Sequence, residues 1–348
     1  MPDNSQDTVL LIALAQMGFL TLREKIILLK NLDSADALAL LSIKDIFGLI
    51  GRISRPAVWD GAAAVKAARQ TVHSMRLYDI SYILYTDLTY PALLREIPDA
   101  PFLLFFRGCG DILCRRSVSV VGTRSLTAEG RKAAFDFAHD AASDGCTVVS
   151  GLAFGTDTEV HKGAVAVFLG QMSDSFSEQC GRTAAVLPGG IDEVVPRSNI
   201  RLARSILESG GCLCSEYAPG TAAASWRFVQ RNRIIAALSP VTVVIQAPPG
   251  SGALLTADFA LEYGRDVVFH AAALCETAKC LSVQVRRQLE VKIALGEKKR
   301  AKLENTIEKY LDDGAPIIED YADYIRYLSE LPGERNCKIK DRQLPLFE

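Results

Sequence analysis

The sequence has few of the residues that would build a metal centre or a disulfide framework. Only four histidines occur among 348 residues, and no two of them stand at the spacing of paired metal ligands. The nine cysteines are an odd number and include no C-x-x-C pair. A zinc cage and a disulfide-stabilised fold are therefore disfavoured, and reduced thiols are the simpler interpretation. We expect neither a metal nor a cofactor.

Long apolar runs are also missing. The run from Val9 to Ala15 is much shorter than the roughly 20 apolar residues that a spanning helix needs. Asp3 and Asp7 precede this run, at the place where a secretion signal would carry basic residues. We therefore expect a cytoplasmic protein that does not enter a membrane.

Acidic residues are absent from one stretch, although acids and bases are nearly balanced over the whole chain. The formal net charge is −2, so a polyanion can be attracted only by a local cluster of cations. From 217 to 257 the chain carries three arginines and neither Asp nor Glu. Arg231, Asn232 and Arg233 immediately precede an apolar run, 234–238. We expect these arginines to carry unpaired charge near the start of a helix.

The first part of the chain has the apolar spacing of short helices, and Ser34 and Ser42 are expected to cap two of them. We predict a small helical domain over residues 1–75. Residues 76–110 alternate short β-prone runs with prolines. This segment is predicted to add strands to the domain that follows.

From Ser117 onward, short apolar runs alternate with glycine turns and helical stretches. The expected strands are 117–122, 147–151, 183–190, 212–216, 241–247 and 266–270. Such near-continuous apolar runs are typical of parallel strands buried on both faces. We predict a doubly wound α/β domain over 76–330, with insertions near 170–181 and 275–308, and a flexible tail over 331–348.

Glycine-rich turns follow three of the expected strands. The turn "VGTRSLTAEG" contains Gly122 and Arg124, "SGLAFGTD" contains Gly151 and Gly155, and "PPGSGALLTA" contains Ser251 and Gly252. One such turn alone can simply allow a tight bend between a strand and a helix. The carboxyl ends of parallel strands meet at one edge, however, where helix N-termini offer free N–H groups. Together with the arginines at 231 and 233, these turns predict a phosphate-binding edge.

This edge lacks the signatures of a nucleotide cofactor. The first turn is not G-x-G-x-x-G, no acidic residue ends the second strand, and "SGLAFGTD" has no G-K-[ST]. The sequence also gives little support for catalytic acids at this edge. Glu216 ends a strand alone, where a carboxylate most often serves as a structural hydrogen-bond acceptor. Asp157 and His161 stand four apart on one helix and can be either a catalytic pair or a pair that supports the helix.

Six motifs occur in an order and spacing that resemble the DNA-processing protein A family (DprA, also called Smf). They are "VVGTR", "SGLAFGTDTEVHKGA", "AAVLPGGIDEVVPRSN", "GGCLCSEYAPG", "FVQRNRIIAALS" and "SGALLTADFALEYGRDV". The upstream segment "YTDLTYPALLREIPDAPFLLFFRG" resembles the lead-in of that family, and the helical N-terminus resembles its SAM-like domain. The resemblance covers about 10–270.

The resemblance implies a cytosolic protein that binds single-stranded DNA in a pocket of a Rossmann-like domain. It also implies a homodimer that helps to load RecA recombinase onto incoming or exposed single strands, in natural transformation or recombination, without catalytic turnover. The pocket that it implies comprises Arg124, Arg231, Asn232, Arg233, Ser251 and Gly252. The glycines of the phosphate turns would be Gly122, Gly151 and Gly155.

An enzyme of related fold is the alternative interpretation. The segment "LPGGIDEV" is similar to the P-G-G loop of LOG-like nucleotide phosphoribohydrolases. That family continues with G-T-x-x-E, whose glutamate is catalytic, whereas this chain continues with Ile191, Asp192, Glu193 and Val194. Because the catalytic acid is not at its place, we expect a binding protein that is not an enzyme.

The last residues form a short apolar peptide after a polar stretch. Gln343, Leu344, Pro345, Leu346 and Phe347 resemble the Q-L-x-L-F peptide by which bacterial proteins dock on the replicative sliding clamp. The preceding "ERNCKIKDR" has the polarity of a tether. A chance apolar tail that folds back onto the domain is the alternative. The peptide therefore makes the sliding clamp a candidate partner.

Overall fold

The computed structural model describes residues 7–53, 58–170, 182–297 and 300–330. The predicted polar insertion lies outside these stretches except for its first residue, and so does the predicted tail.

Five helices precede the first strand in the part of the chain that the structure describes. They are α1 (Thr8–Gln16), α2 (Leu22–Asn31), α3 (Ala35–Leu40), α4 (Ile43–Ile50) and α5 (Gly61–Leu77). Each begins at a side chain that accepts a hydrogen bond from a first-turn amide, in the order Asp7, Thr21, Ser34, Ser42 and Asp60. Such caps satisfy amides that have no partner within the helix. The two serines predicted as caps are confirmed.

Nine strands form one sheet. They are β1 (Ser81–Leu84), β2 (Leu103–Gly108), β3 (Ser117–Val121), β4 (Thr147–Ser150), β5 (Thr183–Val186), β6 (Cys212–Ser215), β7 (Val241–Val244), β8 (Asp266–His270) and β9 (Ile317–Ile318). Their spatial order is β1-β2-β6-β5-β4-β3-β7-β8-β9. The strands from β3 onward pair in parallel, whereas β1 and β2 pair antiparallel to their neighbours. The doubly wound sheet and its six predicted strands are confirmed.

In the described residues, ten α-helices lie between or after these strands. They are α6 (Ala92–Arg95), α7 (Ala128–Ser143), α8 (Thr156–Gly170), α9 (Ile200–Glu208), α10 (Ser225–Ala237), α11 (Gly252–Glu262), α12 (Glu276–Ala294), α13 (Ala301–Glu304), α14 (Ile307–Asp312) and α15 (Tyr321–Ser329). None of the helices in the described residues is both long enough and apolar enough to cross a bilayer. Because α10 begins at Ser225, Arg231 and Arg233 lie in its interior, and the expectation that they lie near its start is wrong.

The direction in which strands are added reverses beside β3. The chain adds β4, β5 and β6 on one side of β3 and then crosses to β7 on the other side. At such a reversal the two loops at the carboxyl ends of the strands diverge and leave a crevice, which is the usual ligand position in open α/β sheets. Here the floor of the crevice is closed by Gln246, whose carbonyl accepts from Thr123 N at 2.7 Å and whose side chain bonds to Thr127.

The helical region and the sheet share one hydrophobic core. Leu14 and Leu38 of the helices belong to the same buried cluster as Phe105 of β2 and Leu213 of β6. A second cluster, farther along the same face of the sheet, joins α7 to α15 through Phe137, whose ring meets two tyrosines edge-on. The opposite face is covered by α10 and α11 in a third cluster. Both faces of the central strands are thus covered, as their apolar sequences require.

One histidine is buried inside this framework. Nδ1 of His161 on α8 lies 2.7 Å from the hydroxyl of Thr183, which itself donates to the carbonyl of Val148 at 2.8 Å. The ring must therefore donate through Nδ1, and its Nε2 is buried without a hydrogen-bond partner. Burial, with a smaller contribution from Arg231, lowers the pKa of His161 from 6.5 to about 3.

We expect this residue to make the protein sensitive to acid. Its pKa is lower in the folded chain, so the unfolded chain binds more protons below pH 6.5 and stability is lost as the pH falls from there toward 3. The free energy of unfolding should fall by about 1.4 kcal/mol per pH unit on account of His161. In chemical denaturation from pH 7 to pH 4, the difference between the native protein and His161→Gln should shrink with that slope. A difference that stays constant with pH would contradict the assignment.

Candidate functional site

Two of the predicted turns are packed against each other at the carboxyl edge of the sheet. The amide and the hydroxyl of Thr156, at the start of α8, both donate to the carbonyl of Thr123 after β3, each at 3.1 Å. A Cβ at Gly122 would lie 2.3 Å from the Thr156 hydroxyl, and one at Gly155 would lie 2.4 Å from the Thr123 carbonyl. Gly155 also has a φ of +77°. These glycines are needed for the close approach of the turns themselves.

Gly151, in contrast, makes room for an arginine. A Cβ on this residue would lie 1.4 Å from Nη1 of Arg231, which reaches across from α10. The guanidinium donates to the Gly151 carbonyl at 2.9 Å and lies 3.8 Å from the carboxylate of Asp157. The side chain of Arg231 is 3% exposed. Arg231 therefore lies beneath the carboxyl edge of the sheet and does not form part of its exposed surface.

Arg233, two residues later on α10, is buried in a similar way. It donates to the carboxylate of Glu216, at the end of β6, and its Nε lies 3.1 Å from Asp99. The expectation that Arg231 and Arg233 carry unpaired charge is therefore wrong. Their partners Asp157, Glu216 and Asp99 all lie outside the acid-free stretch, and the fold brings them back to it.

Arg124 is the exposed cation of the edge. Its guanidinium lies over the ring of Phe228 on α10, 5.3 Å from the ring centroid, and it forms no ion pair with any residue that the structure describes. Arg227, one residue earlier on α10, is half-buried between Tyr217 and Trp226, 5.0 Å and 4.9 Å from their ring centroids. Both guanidinium groups are thus held by aromatic faces, which leaves their charge available to an anion.

Two exposed aromatic side chains lie at this edge, and neither is among the predicted site residues. Trp226 is 57% exposed and Phe154, in the turn before α8, is 52% exposed. Tyr217 meets Trp226 edge-on at 6.4 Å. Trp226 stands beside Arg227 and Phe154 beside Gly155 in the sequence, but the sequence alone does not show that their rings are exposed. We call Arg124, Phe154, Trp226, Arg227 and Phe228 the aromatic edge.

The remaining predicted residues are brought together at the start of α11. Asn232 donates from its side-chain amide to the carbonyl of Gly252 at 3.2 Å. The hydroxyl of Ser251 caps the helix by accepting from Ala253 N at 3.3 Å. This joint connects α10 to the N-terminus of α11, where Gly252 is exposed. A helix N-terminus offers amide donors to an anion.

The candidate catalytic groups are already bonded beneath the surface. Burial raises the pKa of Glu216 and of Asp157 from their ordinary values, and the buried arginines beside them oppose that rise only in part. Asp157 also accepts from Ala153 N, and His161 bonds to Thr183 instead of to Asp157. Among the described residues, no three His, Cys, Asp or Glu side chains are placed to hold a metal ion. The open surface can bind an anion and flat rings.

Solved structures of similar fold are known. The DNA processing protein A structure from Streptococcus pneumoniae matches with a TM-score of 0.65 and 26% identity, covering 92% of this chain and 98% of that one. A second match is a structure from Helicobacter pylori, whose title concerns a single-stranded DNA binding mode of DNA processing protein A. Its TM-score is 0.53 at 21% identity, covering 72% of this chain and 96% of that one, so it bears on the fold alone.

Curated relatives support the same grouping. The DNA processing protein DprA of Bacillus subtilis is 35% identical over 189 residues, which are 54% of this chain and 59% of that protein. Protein Smf of Escherichia coli is 38% identical over 178 residues, 51% of this chain and 44% of that protein. The matched part is thus about half the length of these relatives. The family model of DNA recombination-mediator protein A matches residues 81–320, and the chain therefore belongs to this family.

Proposed function

We propose that this protein binds single-stranded DNA along the aromatic edge. One observation carries the proposal: Arg124 is exposed, forms no ion pair with a described residue and lies over the ring of Phe228, on the helix that also carries the exposed ring of Trp226. Proteins that bind single strands combine cations that follow the backbone with aromatic rings on which bases stack. Paired bases of a duplex cannot stack on such rings, so the arrangement favours unpaired strands. Sequence preference should be weak, because phosphates and base faces carry little sequence information.

In this proposal the buried arginines position the edge. Phe228 and Arg227 stand three and four residues before Arg231 on α10, hence one turn away on the same side of the helix. The bond from Arg231 to Gly151 and the pairing of Arg233 with Glu216 fix α10 against the ends of two strands. Asn232 and the start of α11 would add an amide donor and helix N–H groups to the phosphate path.

The protein is further proposed to act as a recombination mediator. Membership of the family supports a homodimer that helps RecA recombinase onto the bound strand, during transformation or general recombination. The action proposed is binding without catalytic turnover. In the P-G-G loop of the enzyme alternative, Asp192 accepts from the amide of Gly220 at 3.0 Å and Glu193 pairs with Arg197 at 3.3 Å. Both carboxylates of that loop have structural partners, which supports the non-enzymatic proposal.

Substitutions at the edge should separate charge from stacking. Arg124→Ala should weaken binding to single strands by about 1.5–3 kcal/mol and reduce the logarithmic salt slope by about 0.7. Trp226→Ala should weaken binding by about 1–3 kcal/mol and leave the salt slope unchanged, because it removes a stacking ring without charge. Fluorescence anisotropy at several salt concentrations measures both quantities.

Arg69→Ala is the matched control for these variants. Arg69 is an exposed arginine of the helical region, paired with Asp36 at 2.8 Å. Its removal should leave affinity and slope as they are. Equal binding by Arg124→Ala and the native protein would refute the site. A Trp59→Phe variant leaves Trp226 as the sole tryptophan, and we expect its fluorescence to change when a single strand binds.

Selectivity and the absence of turnover are tested together. We expect a single strand to bind more tightly than the matched duplex, because only unpaired bases can reach the rings of the aromatic edge. Incubation with nucleoside monophosphates should release no free base, as measured by chromatography. Equal affinity for duplex and single strand would count against the edge as the site. Release of base that is lost in Glu193→Ala would instead establish the enzyme alternative.

The C-terminal peptide remains a prediction from sequence, because Gln343, Leu344, Leu346 and Phe347 lie outside the described residues. If it docks on the sliding clamp, its apolar side chains fill pockets, and Pro345 reduces the entropy lost on docking. Calorimetric titration of purified clamp should then detect binding by the full chain but not by a chain ending at Arg342. Equal binding by the two chains would exclude the peptide as the ligand.

A further inference from the structure

The two helices α12 and α13 and their connection form a basic segment of the chain. Between 276 and 304 there are eight Lys and Arg residues and four Glu, a net charge of +4 in a chain whose formal net charge is −2. The rest of the chain is therefore net acidic. A local concentration of cations in such a chain is the feature that attracts a polyanion.

This segment is fixed at both ends beside the candidate site. At its start, Thr277 donates to the carboxylate of Glu129 on α7 at 3.0 Å. After its end, Asn305 donates to Asp258 on α11 at 3.0 Å, and its carbonyl accepts from Gly250 N at 3.1 Å. The segment thus spans from the helix that follows the Arg124 turn to the helix that follows the Gly250 turn.

Its middle rests on the turn after β7. Gly250 has a φ of +70°, and a Cβ on it would lie 3.0 Å from the carbonyl of Lys302 and 3.3 Å from a methyl group of Leu289. The same turn leads through Ser251 to Gly252, whose carbonyl accepts from Asn232 on α10. The basic segment therefore continues the surface that begins at the aromatic edge.

Three cations lie close to this contact. Arg286 and Lys292 stand three residues before and after Leu289 and flank it on α12, and Lys302 touches the turn directly. All three are exposed, and none forms an ion pair with a residue that the structure describes. Lys279, by comparison, is paired with Glu276 on the same helix at 3.0 Å.

We infer that Arg286, Lys292 and Lys302 bind the phosphate backbone of a single strand that extends beyond the aromatic edge. The inference rests on the proposed function and extends it. The strand stacks its bases on the aromatic edge, passes the start of α11 and runs along the basic segment. Phe228 and Asn232 lie about 6 Å apart along α10, and Asn232 meets Gly252, so the path from the rings to the cations is continuous.

The observations favour this occupant over a protein. The exposed face of α12 also carries the apolar side chains Val283, Val291 and Leu295, which are 49%, 60% and 68% exposed. A second copy of the chain could cover these. The cations, however, flank the face that packs on the turn, at the side of the candidate site, where charge complementarity points to a phosphate backbone.

The test compares strands of graded length. Oligothymidylates from about 4 to about 30 nucleotides are titrated into the full chain and into the triple variant Arg286→Ala, Lys292→Ala, Lys302→Ala. The native protein should gain affinity with length. The triple variant should bind the shortest strands as the native protein does and the longest roughly ten-fold more weakly, with a salt slope smaller by about 2 for long strands only. Lys279→Ala is the matched control and should behave as the native protein.

Each other outcome has a distinct meaning. If the triple variant matches the native protein at every length, the inference is overturned, while the aromatic edge stands on the effect of Arg124→Ala on short strands. If short strands weaken as much as long ones, the basic segment is not an extension. A changed oligomeric state in light scattering with unchanged binding would identify α12 as an interface between copies and overturn the inference. Failure of the native protein to bind any strand would instead overturn the proposed function.

Discussion

The buried guanidinium of Arg231 is the interaction on which the site depends. A charged group without solvent is costly unless its charge and donors are matched. Here Asp157 supplies the charge, the Gly151 carbonyl accepts a hydrogen bond, and the missing Cβ of Gly151 supplies the space. Because Arg231 lies in the interior of α10, this one anchorage determines how the helix lies across the strand ends. It also determines the positions of Trp226, Arg227 and Phe228 on the preceding turn of α10.

The pairing of the buried arginines with carboxylates limits which cations remain available to a ligand. Two arginines of α10 are matched by carboxylates from three separate parts of the chain, Asp99, Asp157 and Glu216. The cations left for a ligand are therefore those held by aromatic faces, Arg124 and Arg227, together with the basic segment around Gly250. Such a surface has flat rings beside positive charge and has its acids held in ion pairs, which suits recognition of a polyanion with unstacked bases more than it suits acid–base chemistry.

Sequence patterns predicted the framework because they report local chemistry. Apolar runs predicted the six parallel strands, and the rule that strand ends share an edge brought Arg124 and the glycine turns together as expected. The prediction that Arg231 is unpaired was wrong because ion pairs are non-local. Its carboxylate partner, Asp157, stands 74 positions away in the chain. Gly151 is predicted to belong to a phosphate-binding turn, whereas in the structure its missing Cβ makes room for the side chain of Arg231. The sequence did not predict the exposed rings, because Trp226 and Phe154 are of residue types that usually pack in a hydrophobic core.

The shared core of the helical region and the sheet has a consequence for how the chain can be divided. The family match begins at β1, as though the α/β part were a unit, yet Phe105 and Leu213 on its sheet are covered by the helices α1 to α5. Lys25 of α2 is half-buried, and this partial burial lowers its pKa to about 8, although Glu216 favours its charge. A fragment cut at residue 81 would expose a broad apolar face. The start of the family match at residue 81 therefore lies within a shared hydrophobic core and does not separate two cores.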